Sequence, residues 1–385
     1  MDLDRRSILY YYFDYNYTKN KFKKIFTSFL KLFFKKEIID GDFSDATFFN
    51  SNKRKDHTLL FDSVFDSYNG KKSLINYRKK LNFNPSSIFI FIKYLLNFKK
   101  ISKILKDKLG KKYSFFCLIY IIIMLSYDQY IINFYNSNYD FKLKIFVVLY
   151  DLGRVESNLI KAIRIKDKNV KIISLQHGLF IPSENIENID MLNYFDCAAD
   201  YVLTWGDSSK RIFSNYGTKA ITCGNPIIKK KYCMEENYIG IALDIPRNKK
   251  FNQELINIAT KYAMKNLTKV KVRIHPLDNI LNYNINEEYV EFNFDIDNSK
   301  FILTHTSTMT FIYMFNGKKV YKYKTSIPFF KLDKEIEFSN LEELEKVLKI
   351  SYSYKKIIDD FIMCNGDYSK KLYNKAIKEI IEKNN

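Results

Sequence analysis

From residue 144 onward, short apolar runs recur along the chain, and most stop abruptly at polar residues. Segments 144–149, 170–175, 201–204 and 220–223 are of this kind, as are 238–243, 270–274, 289–294, 301–303 and 319–323. In 170–175 the run is β-branched and nearly continuous, which predicts a strand buried on both faces of a parallel sheet. Between them the spacing changes to a helical period over 156–166, 209–216 and 252–266, in a stretch ending at Phe315, and over 341–348, 354–363 and 370–382. Strand and helix in alternation predict a parallel sheet covered on both faces. Before residue 144 the pattern is less regular. Residues 57–64 read as a first buried strand, 66–80 as a polar, basic loop at the mouth of the sheet, and 87–108 and 113–134 as helices. The alternation restarts after 229–237, a charged and polar linker. A chain of 385 residues exceeds one ordinary core and suits two. The expectation is an α/β chain of two Rossmann-like domains facing across a cleft, over 1–228 and 238–366, with a final helix over 367–385.

Charge changes this picture in one region. The formal net charge is +20, and residues 1–112 supply +14 of it, with 25 Lys and Arg against 11 Asp and Glu. A basic face suits nucleic acid, anionic lipid or a polyanionic substrate. Phe22, Ile25, Phe26, Phe29 and Phe33 fall at helical spacing, with Lys23, Lys24, Lys31 and Lys35 largely off that stripe. Two readings are open: the stripe lies on an anionic membrane surface, or it packs on its domain and the lysines are the solvated side. The longest uncharged run, 113–127, is shorter than the roughly 18–20 residues of a membrane span. A buried helix is expected there. The five cysteines show no CxxC or zinc spacing, and the amino terminus lacks the apolar core of a secretory signal. A cytoplasmic protein with reduced thiols is expected, with the inner face of the plasma membrane as its one candidate surface.

Candidate chemistry gathers at strand ends. Three of the four histidines, His177, His275 and His305, fall at the expected carboxyl ends of strands, where ligands bind in open α/β sheets. His177 sits in Gln176-His177-Gly178, and a histidine there can exchange a proton near neutral pH. Gly224-Asn225-Pro226 is a turn by composition. Arg273 stands two residues before His275-Pro276. The stretch Thr304-His305-Thr306-Ser307-Thr308 hands a strand over to a helix, where free N–H groups and hydroxyls suit a phosphate as well as simple capping. No tight histidine pair supports zinc, and Asp295-Ile296-Asp297 reads as a surface turn.

Taken together, Gln176-His177-Gly178, Gly224-Asn225-Pro226, Arg273-x-His275-Pro276 and Thr306-Ser307-Thr308 resemble bacterial GT-B glycosyltransferases of surface-polysaccharide synthesis. The likeness, over about residues 145–323, is to those related to CDP-glycerol glycerophosphotransferases and polysialyltransferases. Where the glycerophosphotransferases carry Trp-His-Gly-Thr, this chain has Gln176-His177-Gly178-Leu179. The resemblance implies an acceptor-binding first domain and a second domain that binds the nucleotide donor. It implies His177 and His275 as catalytic residues, and Arg273, Pro276, Thr306, Ser307 and Thr308 around the donor phosphates. Gln176, Gly178, Gly224, Asn225, Pro226 and His305 would line the cleft.

The expected activity is transfer of a sugar, or a polyol phosphate, from a nucleotide-activated donor to a growing bacterial surface glycan. The donor is a substrate, so no cofactor and no metal are expected. The expected partners are a nucleotide-sugar, a glycan or lipid-linked glycan acceptor, and an anionic membrane surface, without nucleic acid. Two alternatives stay open: a nucleotide-sugar 2-epimerase of the same fold, and a non-enzymatic basic protein that binds membrane or nucleic acid.

Overall fold

The computed structural model describes residues 4–109, 113–180, 189–228, 235–293, 295–327, 329–330 and 332–383. The chain divides into two compact units. One comprises Met1–Trp205, Ser209–Ile227 and Asp367–Asn385; the other comprises Gly206–Ser208 and Ile228–Gly366.

In chain order the first stretch holds α1 (Arg5–Asn16), α2 (Lys21–Phe34), β1 (Lys35–Asp40), β2 (Ala46–Phe49), α3 (Lys55–Ser67) and β3 (Lys72–Leu81). It continues through α4 (Ser86–Leu96), α5 (Phe98–Leu109), α6 (Phe115–Asn138), β4 (Ile145–Val148), α7 (Arg154–Lys166) and β5 (Lys171–Leu175). Then come β6 (Tyr201–Thr204), α8 (Asp207–Asn215) and β7 (Lys219–Thr222). The second stretch runs β8 (Glu236–Ala242), α9 (Lys249–Asn266), β9 (Lys269–Arg273), β10 (Val290–Phe292), β11 (Ser299–Thr304), α10 (Met309–Phe315) and β12 (Val320–Tyr323). It ends with β13 (Glu337–Phe338), α11 (Leu341–Val347), α12 (Lys355–Phe361) and α13 (Gly366–Glu382).

The first unit's sheet has the order β1-β3-β2-β4-β5-β6-β7. Its strands are parallel except β1, which pairs antiparallel with β3. After the edge strand β1 the chain passes to β2, steps out to β3, and returns to β4 on the other side of β2. That reversal makes the β2/β4 boundary the switch point of the sheet. Phe48, Val147 and Ile173 pack there with Leu60, Phe61 and Val64 of α3 and with Tyr373, Ala376, Ile377 and Ile380 of α13. A second cluster joins Ile8, Tyr11 and Tyr15 of α1 to one face of α6. By length and composition α6 could cross a membrane, yet 72% of its most apolar window is buried. It is a core helix of this unit.

The second sheet is parallel throughout, in the order β10-β9-β8-β11-β12-β13. Its switch point lies between β8 and β11. Gly217 and Gly317 follow α8 and α10 with φ of +80° and +79°, a backbone state that glycine adopts without strain. Both units are therefore Rossmann-like, the α/β class expected of GT-B enzymes.

Three expectations need correction. Residues 57–64 are helix α3, not a strand; Leu60, Phe61 and Val64 are buried at helical spacing while Leu59 is half exposed. The first parallel strand is instead the four-residue Ala46–Phe49. Residues 66–80 are not simply a loop, because Lys72–Leu81 forms β3. Only Ile75 of that strand is buried, so its sequence carries no apolar alternation. Of the expected linker, Glu236 and Asn237 already belong to β8, and 229–234 lie outside the described residues.

Candidate functional site

In parallel sheets of this kind, ligands sit beyond the carboxyl ends of strands at the switch point. In the first unit His57 lies in the first turn of α3 after β2, Tyr150 follows β4, and His177 follows β5. Sheet order brings the three together. The His177 ring meets Tyr150 edge-on with centroids 4.8 Å apart, and meets His57 at 5.2 Å. Phe180 is a further ring neighbour at 6.1 Å.

The surroundings of His57 fix its tautomer. Asn52 Oδ1 accepts the Arg54 backbone N–H at 2.9 Å, so the Asn52 amide nitrogen is the atom that meets His57 Nδ1 at 2.8 Å. Nδ1 is thus an acceptor, and the neutral ring carries its proton on Nε2. Burial, with His177 and Arg54 nearby, depresses the His57 pKa to about 4. Glu156, in the first turn of α7, is buried and accepts the Ser51 backbone N–H at 2.9 Å. This bond ties the loop after β2 to the helix after β4, across the switch point. Burial raises the Glu156 pKa. Gly153 leaves room for that carboxylate: a Cβ there would lie 2.3 Å from Glu156 Oε2 and 3.2 Å from Tyr150 Cδ1.

Several residues expected to line a cleft have another role. Gln176 is fully buried; its amide donates to the Gly178 carbonyl at 2.8 Å, and its Oε1 accepts the Trp205 N–H at 2.6 Å. It shapes the loop on which His177 stands. Gly178 faces open space, with nothing within 4 Å of a Cβ placed on it. Gly224, Asn225 and Pro226 form a buried turn. Asn225 Oδ1 accepts the Ile227 N–H at 3.0 Å, and Tyr373 of α13 donates to the Gly224 carbonyl at 3.2 Å. Buried loop backbone must find partners, and these polar residues supply them.

In the second unit Asp244 follows β8, and His305 to Thr308 follow β11. Asp244 Oδ2 accepts the Thr306 hydroxyl at 2.5 Å and the Asn248 amide at 2.5 Å. His305, expected at a cleft surface, is fully buried, because both its nitrogens are used internally. Nε2 lies 2.6 Å from Asn252 Oδ1, and Nδ1 lies 2.8 Å from Thr306 Oγ1. Asn252 Oδ1 also accepts the Asp244 N–H at 3.1 Å, so the orientation of the Asn252 amide beside His305 is set. Burial lowers the His305 pKa to about 4. Ser307 Oγ accepts the Met309 N–H at 3.2 Å and so caps α10, whereas Thr308 makes no side-chain capping bond. Arg273 donates to the Tyr313 hydroxyl at 3.2 Å. His275 and exposed Pro276 share a turn in which His275 Nδ1 accepts the Leu277 N–H at 3.2 Å and the His275 carbonyl accepts the Asp278 N–H at 2.8 Å.

Two further features were not among the residues expected from sequence. One is His57, the fourth histidine, which lies on no strand. The other is the basic stretch at the start of α9, where Arg247, Lys249 and Lys250 are exposed. A helix amino terminus disfavours positive side chains, and an anion bound there removes the conflict. Cations placed between a strand and the next helix were the available signal. Among the described residues no three His, Cys, Asp or Glu side chains converge as a metal site. Asp295-Ile296-Asp297 is a turn in which Asp297 N–H donates to Asp295 Oδ1 at 2.9 Å.

No family model and no curated protein sequence matches the chain. Solved structures do show similarity. A UDP-GlcNAc 2-epimerase from Neisseria meningitidis, bound to UDP-GlcNAc, is 11% identical with a TM-score of 0.48, over 88% of this chain and 99% of that one. The glycosyltransferase SnogD from Streptomyces nogalater is 9% identical with a TM-score of 0.46, over 88% and 99%. A chain of the GtfA/B complex is 8% identical with a TM-score of 0.39; the match takes in 62% of this chain and only 57% of that one. Likeness at these identities and scores carries no information on activity.

Proposed function

We propose that the chain is a nucleotide-sugar-dependent glycosyltransferase that moves a sugar, or a polyol phosphate, onto a growing bacterial surface glycan. One observation carries the reading: a His–Tyr–His cluster lies at the switch point of one Rossmann-like sheet, and a cation-flanked helix start lies at that of the other. Transfer from an activated sugar requires a base for the acceptor hydroxyl and a group that stabilises the departing phosphate. His177 takes the proton as the acceptor oxygen attacks the donor centre, the anomeric carbon of a sugar or the phosphorus of a polyol phosphate. The bond to the nucleotide phosphate breaks, and its electron pair leaves with the nucleotide. Arg247, Lys249 and Lys250 hold the donor phosphates together with Arg273, His275, Pro276, Thr306, Ser307 and Thr308. The acceptor is a glycan or lipid-linked glycan, and a nucleotide-activated donor is in keeping with a cytoplasmic enzyme.

Calorimetric titration with UDP-, CMP-, CDP- and GDP-linked sugars tests the donor side. One donor should bind, and His275→Ala and Arg247→Ala should each weaken it about tenfold or more, the scale of one charge-assisted contact. Unchanged affinity in both variants overturns the donor assignment. A 2-epimerase would convert its donor without acceptor, whereas the transferase should release nucleotide only when acceptor is added.

A further inference from the structure

Helices α2 and α4 of the first unit both carry large apolar side chains on their outward faces. On α2 the buried positions are Ser28 and Leu32, with Ile25 packed against the core cluster. Phe22, Phe26 and Phe29 face solvent, and Phe22 is 79% exposed. On α4 only Ser87 and Tyr94 are buried, while Phe89, Ile92 and Leu96 are exposed, Phe89 at 77% and Leu96 at 79%. The two faces adjoin, since Phe29 of α2 meets Phe91 of α4 with ring centroids 6.3 Å apart. A water-soluble surface rarely carries so continuous an apolar patch unless something covers it.

The charges on the segments that carry and flank the patch in sequence identify its cover. Residues 15–36 contain seven lysines and residues 79–106 another seven, with no Asp or Glu in either stretch. A second copy of the same face would bring lysines against lysines. Nucleic acid would satisfy the charge but has no acyl layer to receive exposed leucine and isoleucine. An anionic bilayer satisfies both parts, because aromatic and aliphatic side chains enter the acyl boundary while lysines meet the headgroups. We infer that α2 and α4 form a docking face that seats the first unit on the surface of an anionic lipid membrane.

The test is co-sedimentation of the full chain with vesicles of phosphatidylcholine alone and of phosphatidylcholine containing roughly 30% phosphatidylglycerol. Wild type should pellet with the anionic vesicles, and less so as salt is raised. Phe22→Ser, Phe26→Ser and Phe89→Ser combined should cut that binding at least about 100-fold, each lost ring contributing several-fold or more. These side chains are exposed, so the variant's thermal melt should match wild type and rule out misfolding as the cause. A second variant, Lys21→Gln with Lys23→Gln and Lys31→Gln, should bind more weakly and show a shallower salt dependence. Wild type left in the supernatant with both vesicle types overturns the inference. So does binding that the aromatic substitutions leave intact. A two-chain mass for wild type in light scattering, reduced to one chain by those substitutions, would assign the face to self-association instead and equally overturn it.

Discussion

His57 and His177 stand with ring centroids 5.2 Å apart and ring planes at 75°, although 120 residues separate them in sequence. The contact exists because β2 and β5 each lie beside β4, so the segments that follow them share one end of the sheet. His177→Ala should lower turnover about 10²–10⁴-fold while leaving donor affinity unchanged, as expected for loss of a general base. His57→Gln should lower turnover less, again without weakening the donor. Steady-state rates set beside donor titrations check both, and a matching loss of donor affinity in either variant would count against these roles.

Acid stability should report the two buried histidines. His57 and His305 stay neutral in the folded chain down to about pH 4, but take up a proton near 6.5 once exposed. The unfolded chain therefore binds more protons in that window, so stability falls as pH drops from about 6.5 toward 4. The loss is on the order of a few kcal/mol per histidine. Urea midpoints at several pH values should show the slope, and His305→Gln should flatten it. A profile without slope in the wild type would contradict the neutral, buried state of both rings.

Gly153→Ala places a methyl 2.3 Å from Glu156 Oε2. The carboxylate must then give up or distort its bond to Ser51 N–H, leaving a half-buried donor unpaired. The expected cost is about 1–3 kcal/mol of unfolding free energy. Glu156→Gln can still accept that N–H and should cost less, and denaturant titration of both variants gives the comparison.

Asn252 serves several partners at once. Its Oδ1 accepts from Asp244 N–H and meets His305 Nε2, and its amide donates to the Asp244 carbonyl and the Tyr283 hydroxyl. Asn252→Leu would strand these buried groups, at a cost of roughly 3 kcal/mol or more. Thermal unfolding should show it, and Asn252→Asp, which keeps the acceptor, should lose less.

Most strands from β4 to β12 were legible as short, mainly apolar runs closed by polar residues, as in Val147 or Ile173, whereas the two-residue β13 was too short to read. The region before β4 was not. Ala46–Phe49 is too brief to stand out, β3 is polar along most of its length, and the apolar residues of 57–64 fit either period until Leu59 is seen to face solvent. The positions of His177, Thr306 and Ser307 at strand ends could also be read from sequence. Which polar residues would turn inward could not. Gln176, Asn225 and His305 look like ligand-facing groups, but each satisfies backbone or side chains whose positions depend on neighbouring strands. His57 was hidden for a related reason, since its partner is set by sheet order alone.

Helix α13 places Tyr373, Ala376, Ile377 and Ile380 in the same core as β2, β4 and α3. On the ribosome, the first unit must therefore wait for residues made after all of Ile228–Gly366. At roughly 5–20 residues per second that wait is about 7–28 s. Throughout it, a hydrophobic seam on the nascent first unit lacks its final helix, and it is the segment from which a chaperone would have most to shield.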